Sequence, residues 1–421
     1  MNLYQHQIDG LKQTEGHASC ALYWDMGLGK TFGGSEKMME YGNRVNLVIC
    51  QKSKINDWLE HFRTYYPIAA YNLTLSGMLD IFMGAGNERV GVINYELAWR
   101  RRDLLRLSGF TLLLDESSLI QNKAAKQTKF ILELKPKNVI LLSGTPTAGK
   151  YENLWTQAHL LGWGISESVY NAQYVNWKTI EEDGFFHKIV DMENPYKNVE
   201  RLKKKFRDHG AVFMKSEEVF DLPEQNFTNV KVATSPEYKR FMRDSYIRLD
   251  DGTELIGDQA FSKRMYARQL CGHYSKAKLE AFRELIQSTN DRVVVFYNFT
   301  AELMELEAIL TDLGRPFSLV NGTCKRLTEY EQLDDSITLI QYQAGSMGLN
   351  LQKANKLIYF TLPERSDLFE QSKARIHRIG QERLCFYWIL TCTGSVEEKI
   401  QETLEQRRDF TEELFREVDH G

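Results

Sequence analysis

Ala18-Ser19-Cys20-Ala21-Leu22-Tyr23-Trp24-Asp25-Met26-Gly27-Leu28-Gly29-Lys30-Thr31 is the stretch on which the fold turns. A short apolar run reads as a strand, two glycines follow it, and Lys30-Thr31 opens a helix-compatible segment. Glycines let backbone amides approach phosphate oxygens, a lysine neutralises terminal phosphates, and a hydroxyl can ligate Mg²⁺. The strict phosphate-loop pattern is broken, because Trp24 stands in the place of its first glycine. Read alone, the segment is also what a tight glycine turn with a surface lysine gives. The strand before it and the helix after it favour the phosphate loop.

Outward from this stretch, further apolar runs appear at Arg44 to Cys50, Val90 to Asn94, Phe110 to Asp115 and Asn138 to Ser143. Continuous Val/Ile/Leu runs separated by helical segments predict a parallel sheet covered on both faces, an α/β lobe over residues 1–148. Residues 149–275 are rich in Glu, Lys, Tyr and Phe at helical spacing, with turn signals at Asp221-Leu222-Pro223 and Ser235-Pro236-Glu237. They predict a mainly helical connecting region. Strand patterns return at Val293 to Tyr297, Phe317 to Val320, Ile337 to Gln341, Lys356 to Thr361 and Cys385 to Cys392, so residues 276–421 predict a second α/β lobe. It ends in a helix opened by Ser395-Val396-Glu397-Glu398 that packs back on a lobe through Ile400, Leu404 and Leu414.

Three more segments carry chemistry. Leu112-Leu113-Leu114-Asp115-Glu116-Ser117-Ser118 ends a strand in two carboxylates. At the C-terminal edge of a parallel sheet such a pair divides the labour: Asp115 holds Mg²⁺ through water and Glu116 polarises the attacking water. On its own, Asp-Glu after a strand is equally a helix cap. Ser143-Gly144-Thr145-Pro146 follows the strand run Val139 to Leu142; it reads as an ordinary turn except for its position after the carboxylate strand, where its hydroxyls suit a γ-phosphate sensor. Gln371 to Gln381 contains Arg375 and Arg378 three apart, which on a helix places both guanidinium groups on one face, as arginine fingers require. A solvated basic face is the plainer alternative. The basic runs Arg100-Arg101-Arg102, Lys203-Lys204-Lys205 and Arg407-Arg408 read as solvated faces, with Lys203 to Lys205 the best placed of them to contact DNA.

In this order the segments resemble a superfamily 2 helicase-like ATPase, and in detail the Swi/Snf-type double-stranded DNA translocases. His6-Gln7-Ile8-Asp9-Gly10 is similar to the family's adenine-reading motif, Leu47-Val48-Ile49-Cys50 through Trp58 to motif Ia, Asn94-Tyr95-Glu96 to motif Ib, Val295-Phe296-Tyr297-Asn298 to motif IV, and Ala344-Gly345-Ser346-Met347-Gly348-Leu349-Asn350 to motif V. Arg378-Ile379-Gly380-Gln381 is the most family-specific piece and separates the chain from DEAD-box RNA helicases. The resemblance implies two RecA-like parallel-sheet lobes with a mainly helical insertion, and ATP and Mg²⁺ as cofactors. It assigns Gln7 to adenine, Met26, Gly27, Leu28, Gly29, Lys30 and Thr31 to phosphates, Thr31 and Asp115 to Mg²⁺, and Gly348 and Asn350 to the nucleotide. Lys30, Asp115, Glu116, Arg375 and Arg378 carry hydrolysis, and Lys52, Ser53, Asn298, Gly345 and Ser346 grip double-stranded DNA by its phosphates. Three features depart from the family: Ser117-Ser118 where relatives carry Ala-His or Gly-His, Glu364-Arg365-Ser366 where remodellers carry Trp-Asn-Pro, and the shortness of the helical region. They point to a compact bacterial or bacteriophage translocase rather than a nucleosome remodeller.

Composition is compatible with this and does not suggest it. The 421 residues, 43% hydrophobic and 26% charged, are those of a folded chain of more than one domain. A net charge of -4 gives no general attraction to a polyanion, so any DNA site is a local basic groove. No secretory leader or apolar run long enough to cross a membrane is seen, and six scattered cysteines without a C-x-x-C pair suit reduced, mostly buried thiols in a cytosol-like compartment; a cytoplasmic monomer without zinc is expected. DNA-bound or replication and recombination proteins are the expected partners. The competing functions are a strand-separating or fork-remodelling helicase, and a DNA-binding scaffold that no longer hydrolyses ATP.

Overall fold

Leu47 to Cys50 and Leu112 to Leu114 are buried at successive positions, not alternate ones. A strand buried on both faces behaves this way, and only a sheet sandwiched between helices provides that burial. The computed structural model describes residues 3–182, 185–345 and 349–416. They divide into two compact units, one running to Val219 and taking in the chain from Arg408, the other Phe220–Arg407.

The first unit contains strands β1 (Ser19–Trp24), β2 (Val45–Cys50), β3 (Ala69–Asn72), β4 (Arg89–Asn94), β5 (Thr111–Asp115), β6 (Asn138–Leu142), β7 (Trp177–Glu182), β8 (Phe185–Val190) and β9 (Ala211–Met214). Seven of them form one sheet in the order β3-β4-β2-β5-β6-β1-β9, and every neighbouring pair is parallel. Helix α1 (Gln5–Lys12) precedes β1; parallel neighbours need crossover connections, supplied chiefly by helices α2 (Lys30–Tyr41), α3 (Ile55–Tyr65), α4 (Met78–Gly84), α5 (Tyr95–Ala98), α6 (Lys126–Glu133), α7 (Trp155–Leu160), α8 (Glu167–Tyr174) and α9 (Val199–Asp208).

The second unit contains β10 (Gln225–Val232), β11 (Tyr246–Arg248), β12 (Glu254–Ile256), β13 (Val293–Tyr297), β14 (Phe317–Val320), β15 (Lys325–Arg326), β16 (Ile337–Gln341), β17 (Lys356–Tyr359) and β18 (Cys385–Cys392). Its sheet runs β10-β18-β17-β13-β16-β14-β15, parallel except for the terminal β14-β15 pair. Two parallel-sheet α/β units were expected and are found.

Residues 149–275 hold six strands as well as the more extensive helices, and the strands went unread in the sequence. β9 closes one edge of the first sheet beside β1, and β10 pairs over eight residues with β18 in the second. β7 and β8 form a separate antiparallel ribbon, as do β11 and β12. The helix Val396–Phe415 is likewise shared: Ile400 and Leu404 are buried in the second unit's core, whereas Leu414 and Phe415 lie in the first unit's. Ser395 Oγ accepts the Glu397 N–H at 3.1 Å, the expected cap. Lys203, on α9, is buried and paired with Glu200 and Glu413 at 2.8 and 3.3 Å, so it is a packing residue and not a DNA contact. Five of the six cysteines are buried and Cys324 is partly so. Among the described residues no helix is long and apolar enough to cross a membrane.

Candidate nucleotide and nucleic-acid site

The order of the first sheet places five motif-bearing strand ends in a row. Along the C-terminal edge come β4 with Asn94, β2 with Lys52, β5 with Asp115, β6 with Ser143 and β1 with the glycine loop. In a parallel sheet this edge is where ligands bind.

The loop Asp25 to Gly29 turns β1 into α2. Gly27 and Gly29 have φ of 91° and 75°, a region that favours glycine, and a Cβ on Gly29 would collide with the Gln7 amide. Lys30 opens α2, and its Nζ donates to the Trp24 and Asp25 carbonyls at 2.8 and 3.1 Å. The N-terminus of a helix with a lysine folded over the loop is an anion site in form. Gln7 Nε2 donates to the Leu28 carbonyl at 3.2 Å, and Gln7 Oε1 accepts the Tyr4 N–H at 3.0 Å. Thus Gln7 latches α1 to the loop. Asp25 Oδ2 accepts from the Ser216 hydroxyl at 3.0 Å.

Asp115 ends β5, and Glu116 follows in a left-handed conformation with φ 55°. A non-glycine residue held there stores backbone strain, which is concentrated at functional sites. Burial pushes the Asp115 carboxyl above the ordinary range; the Trp58 N–H and then the Lys30 and Lys54 charges pull it back. Ser143 Oγ accepts the Thr145 N–H at 3.1 Å, and a Cβ on Gly144 would lie 3.4 Å from Lys30 Nζ. The third segment therefore borders the lysine, as its position after the carboxylate strand suggests. Thr31 and Asp115 offer only oxygen donors, the set that Mg²⁺ takes.

Sequence reasoning missed four residues here. Gln157 on α7 is buried, accepts from Ser117 and Tyr23 at 2.9 Å each and donates to the Pro146 carbonyl at 2.8 Å. The unusual Ser117 is thereby the link from the carboxylate strand end to the Ser143–Pro146 turn; a lone glutamine gives no signal of this. Trp58 and Tyr95 lie within quoted motifs, yet both bond to Asp115, at Oδ2 and at the backbone carbonyl, each at 2.8 Å. Arg100, assigned above to a solvated face, lines a pocket of about 460 Å³ with Lys52, Thr74, Asn94 and Glu96. Ser53 is exposed on the same short turn as Lys52.

In the second unit Arg375 and Arg378 do not lie on a helix. Helix Ser366–Lys373 ends at Ala374, and the chain turns through Gly380 at φ 90°. Both guanidinium groups nevertheless converge on the Leu349 carbonyl, at 3.5 and 3.4 Å. Burial lowers the Arg378 pKa, a desolvation that makes its charge more available to an anion. Gln381 clamps the segment, its Nε2 donating to the carbonyls of Gln352, Ala354 and Ile376 at 2.8 to 3.1 Å. Asn298 Nδ2 is committed to Thr361 Oγ1 and the Leu362 carbonyl at 2.9 and 3.1 Å. Asn350 is exposed and Gly345 ends the short helix Tyr342–Gly345, whereas Ser346 and Gly348 lie outside the described residues.

The SNF2-related domain matches residues 6–276, and the helicase conserved C-terminal domain residues 277–380. YwqA of Bacillus subtilis, named an ATP-dependent helicase/translocase, is 27% identical over 95% of this chain and 47% of its own length. The ISWI chromatin-remodeling complex ATPase ISW1 of Saccharomyces cerevisiae is 22% identical over 97% of this chain and 39% of its own. The chain thus spans less than half the length of these relatives. Among solved structures, the SWI2/SNF2 ATPase core of Sulfolobus solfataricus in complex with dsDNA aligns over 99% of this chain and 94% of that one, with a TM-score of 0.46 and 21% identity.

Proposed function

The chain belongs to the SNF2-related domain family, and from that premise we propose that it is an ATPase that draws on hydrolysis to translocate along double-stranded DNA. The observation that carries this reading is the row of strand ends: Asn94 and Lys52 stand on one side of Asp115, Ser143 and the glycine loop on the other. One edge of one sheet thus offers a basic pocket and an anion-binding loop with the carboxylates between them.

In this reading the loop amides and Lys30 hold the phosphates of ATP, and Glu116 takes the proton of the water that attacks the γ-phosphorus. Bound Mg²⁺, for which the Thr31 hydroxyl and Asp115 carboxylate are the fitting donors, supplies charge to the β- and γ-phosphates. Arg375 and Arg378 offset charge developing in the transition state, and Gly348 and Asn350 are assigned to the nucleotide. Lys52 and Ser53, with Gly345 and Ser346, grip DNA through its phosphates, so movement is independent of sequence. With its amide nitrogen committed, Asn298 is assigned to holding β13 against the end of β17.

Steady-state hydrolysis by the wild type and Lys30→Ala, with no nucleic acid, duplex DNA, single-stranded DNA or duplex RNA, tests the reading. Stimulation chiefly by duplex DNA, and its loss in Lys30→Ala, is expected. Absence of hydrolysis under every condition would move the assignment to a DNA-binding scaffold, and strand separation on a forked duplex would move it to a helicase. Arg378→Ala is expected to lower stimulated hydrolysis by about 10³-fold, the lower end for an arginine finger; an unchanged rate would remove Arg378 from the catalytic set.

A further inference from the structure

Asp115 is gripped from the side of the sheet that carries the basic pocket. Trp58 Nε1 donates to its Oδ2 at 2.8 Å, and Tyr95 Oη donates to its backbone carbonyl at 2.8 Å. Both rings are buried, at 2% and 1% exposure, so neither is available to a ligand.

Each donor belongs to an element that also lines the pocket. Trp58 lies one turn after Ile55 in α3, directly behind the turn Lys52–Lys54, and Ile55 and Lys52 are pocket residues. Tyr95 is flanked by Asn94 and Glu96, both pocket residues, and Asn94 Nδ2 donates to Glu96 Oε2 at 2.6 Å. The pocket therefore holds two cations, Lys52 and Arg100, and one carboxylate, Glu96. A phosphodiester entering it is attracted by those cations and repels Glu96. Displacing Glu96 pulls on Asn94, and Tyr95 lies between the two.

Resting on the reading of this chain as a duplex-driven ATPase, we propose that Trp58 and Tyr95 are positioning residues that transmit occupancy of the Lys52–Arg100 pocket by a DNA phosphodiester to the carboxylate of Asp115. A carboxylate turns about its side-chain torsions, and a misplacement of about 1 Å costs on the order of 10²-fold in rate. DNA then stimulates hydrolysis by completing the placement of Asp115, with no part in the chemistry itself. Linkage makes the effect reciprocal: the Mg²⁺-nucleotide must tighten DNA binding by the factor by which DNA tightens nucleotide binding.

Tyr95→Phe removes one hydroxyl and Trp58→Phe one N–H donor. The measurements are duplex affinity by fluorescence anisotropy with and without Mg²⁺ and a non-hydrolysable ATP analogue, binding of a fluorescent nucleotide with and without duplex, and the ratio of stimulated to DNA-free hydrolysis. In the wild type a coupling factor of about tenfold is expected. In Tyr95→Phe it falls towards unity and the stimulation ratio drops about five- to tenfold, the size of one hydrogen bond, while duplex affinity without nucleotide stays within about twofold. Wild-type coupling in the variants overturns the proposal, and so does loss of duplex affinity in parallel with stimulation, which would make these residues part of the DNA site. Tyr95→Phe decides the matter if Trp58→Phe does not fold. A wild type that duplex DNA fails to stimulate sinks the motor reading itself, a different result from a stimulated wild type with unaffected variants.

Discussion

Trp24 occupies the position where a phosphate loop usually has glycine, and two other glycines make room for it. A Cβ would come within 2.6 Å of its ring from Gly10 and within 2.7 Å from Gly33. The broken pattern is thus a displaced requirement for small residues, invisible in a sequence because Gly10 and Gly33 are distant from Trp24 along the chain. Gly33→Ala should destabilise the protein by about 1 to 3 kcal/mol, the range for overpacking a filled site. Chemical denaturation would check this, and Trp24→Leu in the same chain should recover much of the loss. Asp115 sets a second expectation. Its carboxyl is held above the ordinary range by burial, and only the ionised form holds a cation. With Asp115 as the proposed Mg²⁺ ligand, the Mg²⁺ concentration for half-maximal hydrolysis should therefore begin to rise, as pH falls, at a higher pH than an ordinary carboxylate predicts. A Mg²⁺ requirement independent of pH until the ordinary carboxylate range would contradict that. His61 and His273 are pushed down to about 4 by burial, so the unfolded chain, whose histidines titrate near 6.5, binds more protons in between. Stability should decline as pH is lowered across that window, measured by thermal melts.

The strands legible in the sequence were apolar runs, most of them continuously buried: ten runs correspond to ten strands, with ends shifted by a residue or two. Those that escaped have a physical reason. β3 is four half-buried residues at a sheet edge, and β9 is only Ala-Val-Phe-Met. β10, Gln-Asn-Phe-Thr-Asn-Val-Lys-Val, is largely exposed and is held by its pairing with β18. The carboxylate pair and the glycine loop stand at strand ends, as expected, whereas Arg375 and Arg378 meet at the Leu349 carbonyl without the helix expected to carry them; Gln157 and the donors to Asp115 were not readable, because they depend on which elements meet. Lys278 shows the same limit. It belongs to helix Lys276–Gln287, is fully buried, and bonds both oxygens of Glu397, at 2.5 and 2.6 Å, on the C-terminal helix. Glu397→Gln leaves a buried ammonium without its counter-charge and should cost about 3 to 5 kcal/mol, visible in denaturant unfolding; replacing both members with apolar residues of similar volume should cost far less.

On the scale of the molecule, each unit has its own hydrophobic core, and the C-terminal helix contributes to both. Separate cores favour separable unfolding transitions. Truncation after Arg407 removes Leu414 and Phe415 from the first unit's core and should lower that unit's transition by about 2 to 5 kcal/mol or more, the range for emptying one large core site. Calorimetry with the Mg²⁺-bound ATP analogue would identify that transition as the one the nucleotide raises. The β7-β8 ribbon follows a different logic. It is a sheet of two strands, and it carries Phe185 and Phe186 at 69% and 75% exposure with Trp177 and Ile189 also open to solvent. A ribbon that among the described residues has two strands alone is marginal in water, so its amides should be among the first to exchange for deuterium. Uncovered rings and strand edges of this kind favour self-association, so the ribbon is the place to begin when engineering the protein for storage.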